Sequence, residues 1–159
     1  MSLLSSCLDP QRVICKAHAA SRKRVLETIA DNVAAQDPNT SAHDIFDGLL
    51  ARERLGSTSI GDGVAIPHCR QPISRIQICL VTTEVEVEYE ATDGQAVDIF
   101  FTLIVPEDEH QMHLHALADL STILANNDNR ARIRACSNNE ALYGTILSLL
   151  AQINQTQGP

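Results

Sequence analysis

One ten-residue segment, Ala96-Val-Asp-Ile-Phe-Phe-Thr-Leu-Ile-Val105, constrains the fold more than any other part of this chain. Only Asp98 and Thr102 interrupt its apolar run. A strand with one wet face alternates polar and apolar side chains, whereas one this uniformly apolar must be covered on both faces. It is too short to cross a membrane, which takes roughly 18 or more apolar residues, and no apolar run in the chain reaches that length. The segment therefore predicts a strand buried on both faces within a layered sheet.

The remaining sequence supplies those layers. Val25, Ile29 and Val33 recur at helical spacing behind Ser21, a capping residue, and Asp37-Pro38 stops them because proline disfavours a helical residue before it. Ser41-Ala-His-Asp44 has the form of a capping box and opens a second helix, with Ile45, Phe46, Leu49 and Leu50 as its stripe and an end near Arg54. Ile76–Thr83 reads as a long strand. Glu84, Glu86, Glu88 and Glu90 then alternate with Val85, Val87 and Tyr89, which predicts a half-buried strand whose acidic face is solvated and discourages edge pairing. Thr92–Gln95 is a turn. Pro106-Glu-Asp-Glu109 ends the central strand and places acids in the first turn of a helix running to about Asn126. A break at Asn127–Asn129, a short helix carrying Arg130, Arg132 and Arg134, and a last helix capped by Asn138 and running to Leu150 complete the pattern. Residues 1–11 read as a loose leader before a short strand at Arg12–Cys15, and residues 152–159 as a disordered tail. Residues 1–159 are thus expected to form a single layered α/β domain with a mixed sheet.

Charge and cysteine usage exclude several functions. The net charge is −8 and there are only two lysines, Lys16 and Lys23, which opposes broad nucleic-acid binding. The five cysteines are scattered and form no C-x-x-C pair, so neither a zinc ribbon nor a disulfide framework is supported. The N-terminus lacks the charged and long apolar regions of a secretory signal, and the expected location is the cytoplasm.

The chemistry concentrates in Arg52-Glu-Arg-Leu-Gly-Ser-Thr-Ser-Ile-Gly-Asp-Gly-Val-Ala-Ile-Pro-His68. Gly56, Gly61 and Gly63 allow tight turns, Ser57, Thr58 and Ser59 add hydroxyl donors, and an arginine and an imidazole stand at the two ends. Converging backbone amides, hydroxyls and a guanidinium suit an anion such as phosphate. A second histidine, His113, shares a narrow wedge of helix with Leu117, Leu120 and Leu124 and follows the central strand, at the sheet edge where open α/β folds place ligands. By residue type alone it reads either as a core histidine or as a site residue. His115 shares its side with Asp119, Thr122 and Asn126 and should face water; His110 lies nearer Leu114; His18 and His43 read as surface residues. A zinc set of His68, Cys69 and His113 fails because neighbours on an extended chain point to opposite sides, and a Cys69–histidine nucleophile pair fails for the same reason.

The Arg52–His68 run resembles the active-site signature of the fructose/mannitol-type enzyme IIA domains of the bacterial phosphotransferase system, a similarity extending from the first helix to residue 150. His113-Leu-His-Ala-Leu117 and Tyr89–Asp98 look most like the nitrogen-regulatory branch, IIA-Ntr. The resemblance implies a mixed, roughly five-stranded sheet with helices on both faces. It implies that His68 accepts a phosphoryl group, that His113 supports it, that Arg52 holds its charge, and that Ser57 and Thr58 with Gly56, Gly61 and Gly63 form the phosphate-binding loop. The implied donor is an HPr/NPr-like phosphocarrier protein fed from phosphoenolpyruvate, with regulatory protein targets or a IIB domain as partners and no cofactor or metal. The expected function is a regulatory phosphocarrier; the alternatives are a sugar-specific IIA component and a regulator that binds without being phosphorylated. Three positions depart from the family's pattern: Ser59 for glycine, Asp62 for asparagine and Cys69 for glycine.

Overall fold

A computed structural model of the chain describes residues 3–108 and 111–156. In chain order its elements are α1 (Leu3–Cys7), a single 3-10 turn (Pro10–Arg12), β1 (Val13–Ala17), α2 (Arg22–Gln36), α3 (Ala42–Arg54), β2 (Ser59–Gly61), β3 (Val64–Ala65), β4 (His68–Gln71), β5 (Gln77–Val87), β6 (Val97–Pro106), α4 (Gln111–Leu124), α5 (Asn127–Ala135) and α6 (Asn139–Thr156).

The apolar segment is the centre of a six-stranded mixed sheet of order β1-β5-β6-β3-β2, with β4 also paired to β6. On one side β6 runs antiparallel to β5, pairing Phe101 with Leu80 and Leu103 with Ile78. On the other side it runs parallel to β3 and then to β4, with Val64 opposite Ile99 and His68 opposite Leu103. β3 and β4 are one extended path along the β6 edge, interrupted at Ile66-Pro67. Proline has no N–H to give the ladder, but the Pro67 carbonyl still accepts from Leu103 N–H (3.0 Å), so the chain stays on course.

Both faces of β6 are covered, as its composition requires. Ile99, Phe101, Leu103 and Val105 pack with α1, α4, α5 and α6, while Phe100 and Ile104 pack with α2 and α3. The caps at Ser21 and Ser41 form as expected: each hydroxyl accepts the N–H three residues on, from Arg24 (3.1 Å) and Asp44 (3.3 Å). Asn138 caps α6 through Ala141 N–H (2.8 Å).

Several elements differ from the sequence expectation. The leader is not loose over its described part: α1 buries Leu4, and Leu8 follows into the same core. Asn127–Asn129 is the first turn of α5 rather than a break, because Asn126 caps it by accepting Asn129 N–H (3.0 Å). α4 begins at Gln111, so Glu107 and Asp108 precede it; Glu109 and His110 lie outside the described residues. α6 continues past Leu150 to Thr156, burying Ile153; of the expected tail, residues 157–159 lie outside the described residues. The alternation at residues 84–90 also fails at Val85, which is 56% exposed beside exposed Glu84 and Glu86. The register slips between Thr82 and Val87, so this stretch bulges off β6, and only Val87 and Tyr89 return to the core.

Candidate functional site

β4 lies at a sheet edge, and its alternation sorts the side chains that follow Pro67. Cys69 points into the α2–α3 core, whereas His68 and Arg70, two residues apart, share the opposite side, where α4 presents His113. The His68 and His113 rings meet edge to face, with centroids 5.2 Å apart and planes at 65°. Arg52 reaches round the edge from the last turn of α3: its Nε–H donates to His68 Nε2 (3.2 Å) and its Nη1 to the Gly56 carbonyl (2.7 Å). Gly48 makes this approach possible, since a Cβ there would stand 3.1 Å from Cys69 Sγ. α3 therefore packs closely on β4, and a larger residue at position 48 would have to displace Cys69 or Gln71.

The hydrogen bonds settle both tautomers. His68 Nδ1 lies 2.8 Å from the Ile66 carbonyl, which can only accept, so Nδ1 carries the proton and Nε2 the lone pair. A guanidinium can only donate, so the contact between Arg70 Nη2 and His113 Nδ1 (3.3 Å) makes that nitrogen the acceptor and leaves the ring proton of His113 on Nε2. Burial pushes the pKa of His68 below the ordinary imidazole value; Arg52 and Arg70 push the same way, against the Ile66 bond and the Glu53 charge. The result is a neutral imidazole at neutral pH with one nucleophilic nitrogen. Cys69, buried beside it, has its thiol pushed up to about 12 by desolvation and is inert as a thiolate.

Two hollows flank the His68 ring. One, of about 250 Å³, is lined by Arg52, Ser57, Ser59, His68, Leu117 and Ser121, among others. The other, of about 500 Å³, lies between Gly48, Leu55, Arg70 and His113. The Ser57 hydroxyl oxygen accepts Ser59 N–H (3.1 Å) and that of Ser59 accepts Gly61 N–H (3.3 Å), which leaves both hydroxyl protons available to a ligand. Thr58 is committed elsewhere: its N–H (3.0 Å) and hydroxyl (2.7 Å) both donate to the carboxylate of Glu53, a residue only 3% exposed.

The structure thus brings Arg52, Ser57, His68 and His113 together, and does not bring the glycines into the same cradle. Gly56 meets Arg52 through its carbonyl. Gly63 lies on the far side of the β2–β3 turn, where its carbonyl accepts from Asp98 and Ile99. There Arg134 Nη2 donates to the Asp62 carbonyl (2.6 Å) and to Asp98 Oδ1 (2.9 Å), and the Asp62 carboxylate turns outward toward Arg130 (3.7 Å). Asp62 occupies the left-handed region (φ 57), which aspartate tolerates, while Ser59 is ordinary extended strand and unstrained. His115 is exposed, as its helix position implied, and His18 and His43 are surface residues beside Glu84 and Asp47. Among the described residues no helix is long and apolar enough to cross a membrane.

Sequence reasoning missed Arg70 and Glu53. Arg70 carried a usable signal, two positions beyond His68 in an extended run. Glu53 carried none, because an acid between Arg52 and Arg54 reads as an exposed helix charge.

Residues 6–149 match the family described as phosphoenolpyruvate-dependent sugar phosphotransferase system, EIIA 2, and the chain belongs to that family. Within it, several of the similar proteins carry regulatory names. The chain is 40% identical over 154 residues to the nitrogen regulatory protein of Pseudomonas aeruginosa, covering 94% of this chain and 97% of that one. It is 37% identical over 145 residues to the nitrogen regulatory protein of Escherichia coli K12, covering 90% and 88%. The crystal structure of nitrogen regulatory protein IIA-Ntr from Neisseria meningitidis superposes with a TM-score of 0.86 at 30% identity, covering 94% of this chain and 99% of that one. The mannitol IIA of Escherichia coli shares the fold, with a TM-score of 0.68 at 14% identity and coverage of 90% and 98%.

Proposed function

We propose that this chain is a regulatory phosphocarrier that accepts a phosphoryl group on Nε2 of His68 from the phosphohistidine of a small HPr/NPr-like protein, and that its phosphorylation state governs which cytoplasmic protein targets it binds. The observation that carries this reading is the fixed tautomer of His68. Its proton is held on the Ile66 carbonyl, and its lone pair is turned toward Arg52, beside His113.

The step balances without a cofactor. Arg52 Nε–H first releases the Nε2 lone pair, which attacks phosphorus; the donor's N–P bond breaks, and that electron pair returns to the donor's imidazole. The His68 Nδ1–H stays on its carbonyl, where it stabilises the charge that develops on the ring. Such transfers depend on in-line placement and on donors for the three equatorial oxygens. The Arg52 guanidinium, the Ser57 hydroxyl and the His113 Nε2–H are the donors in reach. Leu55, Ile60 and Leu114 are exposed apolar residues that rim the two hollows or adjoin His113, a surface suited to a protein donor rather than a small molecule. The regulatory names of the relatives favour protein targets over a IIB domain as recipients.

The test is incubation with phosphoenolpyruvate, enzyme I and the phosphocarrier, followed by mass spectrometry. The expected result is an acid-labile gain of about 80 Da, one phosphoryl group, on His68. A gain retained after His68→Ala refutes the assignment, and no gain on the wild type refutes phosphocarriage altogether.

A further inference from the structure

Beneath the hydroxyl loop lies a buried polar cluster that the acceptor chemistry does not use. Glu53 (3% exposed) receives both donors of Thr58 (6% exposed). The hydroxyl of Tyr89, a residue with no exposed surface, lies beside the same two side chains and forms no hydrogen bond. Its ring is fixed edge to face against Phe100 of β6, with centroids 5.2 Å apart. Burial and the neighbouring Glu53 charge keep the phenol protonated far above its ordinary range, so it is a permanent donor that stands beside Thr58 and Glu53 without full bonding geometry to either. A buried hydroxyl in that state costs stability, and native structures keep few of them.

A second arrangement of the cluster would carry one more bond. The Thr58 hydroxyl now lies against both carboxylate oxygens (2.9 and 2.7 Å), so the Tyr89 hydroxyl would gain its place on Glu53 when the Thr58 hydroxyl turns away. What the second arrangement needs is a different acceptor for Thr58, which lines the same hollow as His68 and Arg52. A phosphoryl group on His68 brings three acceptor oxygens to that hollow.

We propose that Thr58 and Tyr89 exchange roles on Glu53 when His68 is phosphorylated: the Thr58 hydroxyl turns to a phosphoryl oxygen and the Tyr89 hydroxyl replaces it on the carboxylate. This rests on the acceptor role of His68 and supplies a route by which phosphorylation reaches the surface. Tyr89 is flanked by exposed Glu88 and Glu90; Glu90 sits in the left-handed region (φ 55) and pairs with Arg22 of α2 (3.3 Å).

The chain has two tyrosines, so a Tyr143→Phe protein labelled with carbon-13 at tyrosine Cζ gives one resonance, that of Tyr89. It is recorded before and after treatment with phosphoenolpyruvate, enzyme I and the phosphocarrier, with the His68 adduct followed by mass. The expected result is a shift of the resonance on phosphorylation. In a Thr58→Val background the resonance should already stand at the phosphorylated position and stay there when the adduct forms. An adduct with no shift overturns the exchange and leaves the acceptor reading standing. Equal shifts with and without the Thr58 hydroxyl also overturn it, because the tyrosine would then sense phosphate by another path. Absence of the adduct overturns both.

Discussion

Replacing Arg52 by glutamine tests the central geometry most directly. The guanidinium makes two bonds, to His68 Nε2 (3.2 Å) and to the Gly56 carbonyl (2.7 Å), and the second holds the first in place. A phosphoryl group attached to Nε2 must sit where the guanidinium now contacts that nitrogen. Two unit charges at about 4 Å interact by roughly 4 kcal/mol at an effective dielectric of about 20, and bonds from charged donors contribute about 1.5–3 kcal/mol each. Because Arg52 is half-buried beside open hollows, we take the lower part of that range, about 2–3 kcal/mol, for its share in the transferring state. The Arg52→Gln protein should therefore accept phosphate about 30- to 150-fold more slowly, read as initial rates of adduct formation in quenched flow. A second readout has an independent sign. The Arg52 charge lowers the pKa of His68, so its removal should raise that pKa toward 6.5, seen by titrating the ring resonances. A rate within about threefold of the wild type, which is less than 1 kcal/mol, or a further fall in the His68 pKa would refute the reasoning.

The depressed pKa of His68 predicts that acceptance is flat through neutral pH and declines only in acid, below the ordinary imidazole value of 6.5. The same shift has a stability consequence: the unfolded chain binds more protons here than the folded one, so His68 costs stability as pH falls from 6.5 through its folded value and not above it, as a His68→Gln comparison by urea titration would show. Gly48→Ala should push α3 off β4, because the new Cβ would meet Cys69 Sγ at 3.1 Å. It should slow acceptance by moving Arg52, and adding Cys69→Ala should restore much of the rate. Gly63→Ala places a Cβ at φ 80 and 2.6 Å from Arg134 Nη2, which disrupts the Arg134 bonds to Asp62 and Asp98. It should lower the unfolding free energy by about 2–4 kcal/mol in urea titration.

What the sequence could disclose here was set by periodicity. The two-sided burial of residues 96–105 is a property of every residue in the run, so it is legible without a partner, and it correctly demanded cover on both faces. The placement of His113 followed from helix arithmetic for the same reason. The bulge at residues 83–86 was not legible, because a strict alternation of glutamate with apolar residues reads identically whether or not a partner strand keeps register. The glycine loop misled in a different way. Glycine, serine and threonine announce turns and donors, but they do not say which donors are already spent. Only the buried carboxylate of Glu53 reveals that Thr58 faces inward.

The location of β4 explains how residues from opposite faces of a sheet can share one site. In the middle of a sheet, α3 and α4 would be separated by about 10 Å of side chains on each face, and Arg52 could not meet a histidine that faces α4. At the edge no second strand among the described residues pairs with β4, so a long side chain from α3 can pass round it to His68 Nε2 while His113 approaches from α4. Edge strands usually need protection against further pairing. Here Pro67 interrupts the edge, and the exposed apolar side chains of Leu55 and Leu114 stand at the end of α3 and on α4. The departures at Ser59, Asp62 and Cys69 are tolerated on the same logic. The loop is held from below by Glu53 and from behind by Arg130 and Arg134. Its shape therefore rests on the buried Glu53 carboxylate and on two arginines of α5, and none of the three departing side chains bonds the acceptor nitrogen, which meets Arg52.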